Sequence, residues 1–275
     1  MTHKLLMRNP RLRYIGMLIL LILLPVLLNG QDARNFTDDQ GRKQGYWKKW
    51  ENGELQYEGQ FKDDKPYGTF TYYYPTRSVK AVMLFSQKGR IARSRMLYPG
   101  GKLMAEGRYV EMQKDSVWNF FNEQGVLVAK ESWDKGVKNG LWITYYPDGQ
   151  ASEEIPWVNG KREGQWKQYY TDGMLKSRSI YVNDRLEGLA QFFFASGKAM
   201  MSGTYENSMK HGTWIVFKEE GQTIIQESYS KGYLVSSREI TEEEKVRILR
   251  QDEEGNQYMP GRKAAYELED PEEPE

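Results

Sequence analysis

The sequence predicts an all-β protein: an elongated, twisted antiparallel sheet of about eight stacked 24-residue β-hairpins, with a short C-terminal helix and a disordered acidic tail. Three observations predict it. Aromatic residues recur every 24 positions, glycines recur at the same spacing in columns of their own, and aromatics reach 13% beside 26 Gly and no Cys. Aromatic and glycine enrichment together favour short strands joined by tight turns. Without cysteine there are no disulfides and no thiol chemistry, so packing alone must hold the chain.

The aromatic columns are the firmest of these. Phe61, Phe85, Tyr109, Trp133, Trp157, Tyr181, Tyr205 and Tyr229 are 24 residues apart without exception. A second column reads Tyr73, Leu97, Phe121, Tyr145, Tyr169, Phe193 and Phe217, with Trp50 one residue out of register. A third reads Trp47, Phe70, Ser94, Trp118, Trp142, Trp166, Ala190 and Trp214. One glycine column runs Gly140, Gly164, Gly188 and Gly212, and another Gly101, Gly125, Gly149, Gly173, Gly197 and Gly221.

Each unit reads as a hairpin: an aromatic strand at 141–146, an Asp148-Gly149 turn, a second strand at 150–157, and a polar turn at 158–163. Asp-Gly and Asn-Gly supply the positive φ that tight hairpins require. Such strands are too short to bury a core alone, so neighbouring units must stack and set equivalent aromatics into ladders. Side chains alternate along a strand, so the aromatic three residues after the Trp position faces the other way unless a bulge intervenes.

The motif Gly140-x-Trp142-x-x-Tyr145-Tyr146-x-x-Gly149, followed by an aromatic at 157 and the turn Asn159-Gly160-Lys161, resembles the MORN repeat, in its bacterial variant with the longer unit. The resemblance covers 44–236, most cleanly 116–236. It implies a binding or scaffolding module with no cofactor. Bacterial proteins of this type are often labelled antitoxins, and eukaryotic MORN repeats suggest lipid-headgroup binding. The unit spanning 77–115 departs from the pattern: Pro75-Thr76-Arg77 replaces the turn glycine and Ser94 replaces the Trp. A distorted unit or an irregular loop is expected there.

The ends differ from the array. Lys4, Arg8, Arg11 and Arg13 precede an apolar run from Ile15 to Leu28, and Gly30 offers a small residue for cleavage. The run is short beside the ~20 residues of a membrane span. Residues 1–30 therefore read as a signal peptide, with an uncleaved N-terminal anchor as the alternative; either way the remainder is exported, to the periplasm or cell surface. Residues 31–43 read as a flexible lead-in. At 237–250, Thr241 followed by three acids and later bases suits a short helix that caps the last strand, and 251–275 read as a disordered acidic tail.

Little in the sequence suggests catalysis. His3 lies in the leader and His211 occupies a turn slot filled elsewhere by Asn139, Glu163 and Glu187. Glu58, Glu106 and Glu154 recur at one repeat position and read as a solvated face rather than as paired catalytic acids. No nucleophile elbow, phosphate loop or metal-spaced cluster occurs. No catalytic, cofactor-binding or metal-ligating residue is therefore expected. Residues 31–238 carry 30 bases and 25 acids, too even a balance for a nucleic-acid partner.

The candidate site residues are aromatic: Trp118, Trp142, Trp166 and Trp214, with Trp133, Trp157, Tyr181 and Tyr205. They either build the sheet as a ladder or line a face that receives a partner. The leading expectation is a protein partner of unknown identity at the cell envelope. Membrane-surface binding would use a modest ridge of Lys161, Arg162, Arg178 and Arg185, and toxin neutralisation is the third possibility.

Overall fold

The computed structural model describes residues 35–218 and 224–253. The expected leader at 1–30 and the tail after 253 lie outside the described residues. Among these described residues twenty-one antiparallel strands form one open, twisted sheet, followed by one helix, Glu242–Glu253. No helix among the described residues is long and apolar enough to cross a membrane.

The hairpin of the 24-residue unit is as the turns dictate. Strand Gly140–Tyr145 pairs with Ala151–Val158, setting Trp142 opposite Ile155. Between them Gly149 N donates to Tyr146 O at 2.9 Å and Tyr146 N to Gln150 O at 2.8 Å, with Gly149 at φ 89. This is a type I turn closed by a left-handed residue. The opposite end of the unit is the tighter type I′ turn, with Asn159 at φ 49 and Gly160 at φ 82. In the irregular unit Arg77 occupies the left-handed slot at φ 69, a conformation that costs a non-glycine residue about 1–2 kcal/mol.

Hydrogen bonds staple consecutive units at both ends of the strands. On the type I′ side, the amide of the second turn residue donates to a carbonyl of the preceding unit: Gly160 to Lys138 at 2.8 Å, Asp184 to Arg162 at 3.1 Å, Ser208 to Leu186 at 2.9 Å. On the other side a tyrosine hydroxyl reaches forward 23 residues: Tyr74 to Leu97 O, Tyr98 to Phe121 O, Tyr146 to Tyr169 O and Tyr170 to Phe193 O, all within 2.7–2.9 Å. The Tyr-Tyr pair thus divides its labour, the second ring locking its unit to the next.

Strand pairing sets the third aromatic column into a row across one face: Trp47, Gly59, Phe70, Met83, Ser94, Gly107, Trp118, Glu131, Trp142, Ile155, Trp166, Ser179, Ala190, Gly203, Trp214. Where a ring lies on a glycine of the strand before it, the ring is fully buried: Phe70 is 2% exposed, and Trp118 and Trp214 are 0%. A Cβ on Gly59, Gly107 or Gly203 would stand 2.2–2.4 Å from those rings. At each of these glycines the pairing slips by two residues, and the following strand (Lys65–Tyr73, Gln113–Phe121 or Met209–Phe217) runs unbroken. Where Glu131, Ile155 or Ser179 takes that place the pairing slips by the same two residues. There the next strand is interrupted at the slip, giving two-residue pieces Val137–Lys138, Lys161–Arg162 and Arg185–Leu186 before Gly140, Gly164 and Gly188.

The irregular unit corrects one expectation. Strand Val79–Ser86 pairs with Ile91–Leu97 from Ala81–Met96 to Ser86–Ile91 with neither slip nor break. Ser94 has no ring to seat, so the strand needs no bulge, and the irregularity is confined to the turns.

The ends differ from expectation too. Residues from Asn35 onward in the expected lead-in are paired: Phe36 and Thr37 lie opposite Gln44 and Lys43, and the Asn35 amide exchanges two 2.8 Å bonds with the Lys48 backbone. At the other end, strand Tyr233–Glu239 carries the sheet past 236, so the helix begins later and ends later than 237–250. Its start is a capping box, with Glu244 N donating to Thr241 Oγ1 at 3.3 Å and Thr241 N to the Glu244 carboxylate at 2.9 Å. The Arg238 guanidinium pairs with the same carboxylate at 2.8 Å. The helix does not cover the last strand: all seven residues of Tyr233–Glu239 are exposed.

Candidate binding face

The row through Trp118, Trp142 and Trp166 shares its face with the first aromatic column. Trp142 lies 5.3 Å from both Trp133 and Trp157 between ring centroids, Trp166 lies 5.6 Å from Tyr181, and Trp214 lies 5.2 Å from Tyr205. The second column turns the other way. Tyr73 donates to Glu58 at 2.6 Å, and Glu58 lies opposite Lys48, one residue along from the Trp47–Gly59 pair. Both faces therefore carry aromatics, as the alternation of a strand requires.

Cations complete the ladder at a repeat position of their own. Lys138 Nζ sits 4.1 Å from the centroids of both Trp142 and Trp157, Lys114 lies 5.0 Å from Trp118 and 4.8 Å from Trp133, and Lys210 lies 4.4 Å from Trp214 and 4.6 Å from Tyr229. Arg162 stacks 4.2 Å from Tyr181 and bonds its hydroxyl at 2.9 Å. An ammonium over an indole face is attracted by the ring quadrupole and covers apolar surface with its stem. Each basic residue stands two positions before a left-handed residue of the repeat, Ser116, Gly140, Gly164 or Gly212.

The eight candidate aromatics separate by burial. Trp118, Trp214 and Tyr181 are buried; Trp133, Trp142, Trp157, Trp166 and Tyr205 are half-buried. The cause lies in the adjacent row. Beside Trp118 and Trp214 it carries Phe120, Phe192 and Val216, but beside Trp142 and Trp166 it reads Thr144, Glu153, Gln168 and Ser177. These polar residues are joined to one another and to the indole: Trp166 Nε1 donates to Glu153 at 2.8 Å, Gln168 to Glu153 at 3.4 Å, and Ser177 to Gln168 at 3.1 Å. The central units thus expose indole edges beside a preorganised polar network. Trp118, Trp142 and Trp214 donate instead to the carbonyls of Arg108, Ser132 and Thr204 at 3.0–3.2 Å.

The opposite face sets its aromatics beside charges that neutralise one another. Lys48–Glu58, Arg95–Glu106 and Lys167–Glu154 pair across neighbouring strands at 3.4, 3.9 and 3.2 Å. The recurring glutamates are therefore members of cross-strand ion pairs. Burial and the Glu58 carboxylate push the Tyr46 and Tyr73 hydroxyls up to about 12. The Tyr73 hydroxyl bond, with lesser help from Tyr46 and Lys48, holds Glu58 below the usual range against the burial that opposes it. His211 is exposed, with Nδ1 3.2 Å from Glu206 on the surface. Among the described residues no three His, Cys, Asp or Glu side chains gather as a metal site would require.

Two segments, 138–159 and 162–183, match the MORN repeat variant. They begin at Lys138 and Arg162, the stacked cations, and end at the turn residues Asn159 and Asn183. MORN repeats are binding or scaffold modules, a non-catalytic repeat type. No curated protein matches the sequence. Similar solved structures include "Crystal Structure of TcdB2-TccC3", at 10% identity and a TM-score of 0.22 over 74% of this chain and 14% of that one. "Crystal Structure of TcdB2-TccC3-Cdc42" is similar at 11% identity and a TM-score of 0.19, over 74% and 13%. The chain thus spans a small part of either protein.

Sequence reasoning missed two sets of residues. The hydroxyl staples form a 24-residue column of their own, Tyr74, Tyr98, Tyr146 and Tyr170, one position after the Tyr73 to Phe217 column. The cations Lys114, Lys138, Arg162 and Lys210 share one spacing as well, and their repetition was the available signal.

Proposed function

We propose that this protein is an exported, non-catalytic scaffold whose central MORN-type units receive a protein partner on the face bearing Trp133, Trp142, Trp157 and Trp166. The observation that carries the reading is the half-burial of these four indoles beside the Glu153–Gln168–Ser177 network, while Trp118 and Trp214 at equivalent positions are sealed. Aromatic edges with fixed polar neighbours are what interface hot spots require. Export rests on the leader alone.

A lipid-headgroup role finds less support. Lys161 bonds Asn183, Arg162 bonds Asp184 and Tyr181, Arg178 bonds Gln191 and Arg185 bonds Asn207, so the basic ridge is engaged within the protein. Toxin neutralisation would be one form of protein binding. Affinity capture from the native envelope with wild type and a Trp142→Ala/Trp166→Ala double variant tests the reading. A partner held by wild type and lost by a still-folded double variant supports it. Equal capture by both, or retention of the wild type on anionic vesicles with no protein captured, overturns it.

A further inference from the structure

The row of large side chains has a gap at Ser94. Near the start of the array Gly59 is flanked by two rings, Trp47 across one strand pair and Phe70 on the other side. Gly107 occupies the equivalent place 48 residues on, but only Trp118 flanks it; Ser94 stands where the other ring would be. The adjacent row does nothing to close the space, since it carries Ala81, Met96 and Ala105 there. Ala190, the other small residue in the column, differs: its neighbouring row supplies Phe192, whose ring lies 6.3 Å from Trp214.

The result is a cavity of about 450 Å³, open on the same face as the half-buried indoles. Ser94 lies at its floor, and its walls include Tyr57, Tyr72, Tyr109, Met83 and Met96. Lys49, Glu51, Gln56 and Lys80 line it as well, and burial raises the hydroxyls of Tyr72 and Tyr109. In the next unit Tyr109 packs edge-on against the Trp118 indole at 4.8 Å, which shows the kind of group its ring accepts. Methionine sulfur also favours contact with aromatic rings. Volume and lining are those of a small-ligand site.

We propose that this cavity binds an aromatic side chain of indole size, presented by a partner polypeptide in the place where the repeat omits its own. Only the choice of a polypeptide rests on the function proposed above; the aromatic chemistry follows from the repeat itself, which fills the equivalent position with Trp or Phe in Trp47, Phe70, Trp118, Trp142, Trp166 and Trp214.

The test uses the folded protein with methyl-labelled methionine, and two probes: free indole and the capped tripeptide Ala-Trp-Ala. Both should shift the Met83 and Met96 methyls, and leave those of Met201 and Met209 unmoved, with the tripeptide binding at least as tightly as indole. Ser94→Trp should fill the cavity, raise Tm and weaken either probe at least tenfold, whereas Ser94→Ala should leave binding unchanged. Absence of shifts at Met83 and Met96 in wild type, undiminished binding by Ser94→Trp, or a lower Tm for that variant would overturn the site. Binding of indole with exclusion of the tripeptide would overturn the polypeptide source. Neither outcome depends on Trp142 or Trp166, so failure here is distinguishable from failure of the proposed function.

Discussion

The Trp118 indole lies directly on the backbone of Gly107, so close that a Cβ built there would stand 2.3 Å from Trp118 Cδ2. The ring is 0% exposed, and its Nε1 donates to the Arg108 carbonyl at 3.0 Å. Glycine and the buried indole are one device. Gly107→Ala should accordingly cost about 1–3 kcal/mol through overpacking. Gly212→Ala is the control: it has φ 65 but no atom nearer than 3.7 Å, so it should cost only the backbone strain, about 1–2 kcal/mol. The two separate in Trp fluorescence, since only Gly107→Ala displaces an indole.

Burial ranks the tryptophans. Trp118→Ala should lower stability by about 3–5 kcal/mol, the range for a fully buried ring. Trp142→Ala removes a half-buried ring and should cost clearly less in the same denaturant titration. Equal losses would mean that the central indoles are structural in the same sense as the sealed ones.

The hydroxyl staple is a single atom and can be removed cleanly. Tyr146→Phe deletes the 2.7 Å bond to Tyr169 O and leaves the ring in place, at a cost of about 0.5–1.5 kcal/mol. Hydrogen exchange should report the loss locally, in amides of the units joined by that bond.

The period and its consequences were legible in the sequence because chance does not set aromatics at every 24th residue from Phe61 to Tyr229. The turns were legible as well, since Asp148-Gly149 and Asn159-Gly160 leave little choice of backbone. Which tryptophans are exposed was not legible. It depends on the residue across the strand at 107, 131, 155 and 203 and on the adjacent row at 120, 144, 168 and 192, and those neighbours become visible only once the register is known. The strand breaks were hidden for the same reason: they fall where Glu131 and Ile155 stand in the place that Gly107 and Gly203 take elsewhere. The final strand was misjudged because its aromatic period fades before its pairing does.

Titration should find Tyr46 and Tyr73 apart from ordinary tyrosines, moved from the usual 10.0 to about 12 by burial and by Glu58. A folded-state value raised above the unfolded one favours the protonated ring in the fold, so this stabilisation is complete below pH 10 and lost as pH rises towards 12. Glu58 acts in the opposite direction. Its depressed value makes a contribution that is present above the ordinary carboxylate range and lost in acid. Glu58→Gln should bring two tyrosines back towards 10.0 in a tyrosinate absorbance titration. An unchanged titration would contradict the assigned cause.

Deletion of one unit in register tests most directly whether the chain is a stack of equivalent 24-residue units. Removing Gly164–Glu187 joins Glu163 to Gly188, which repeats the existing Glu187–Gly188 junction, and leaves every staple a partner of the same type in the next unit. Stability in such an array is a sum over units and their interfaces. The shortened protein should keep its β circular-dichroism spectrum and unfold cooperatively at a modestly lower temperature, whereas deletion of 164–175 alone, which takes one strand from a hairpin, should abolish folding. An unfolded product from the in-register deletion, or a folded one from the half-unit deletion, would contradict the account.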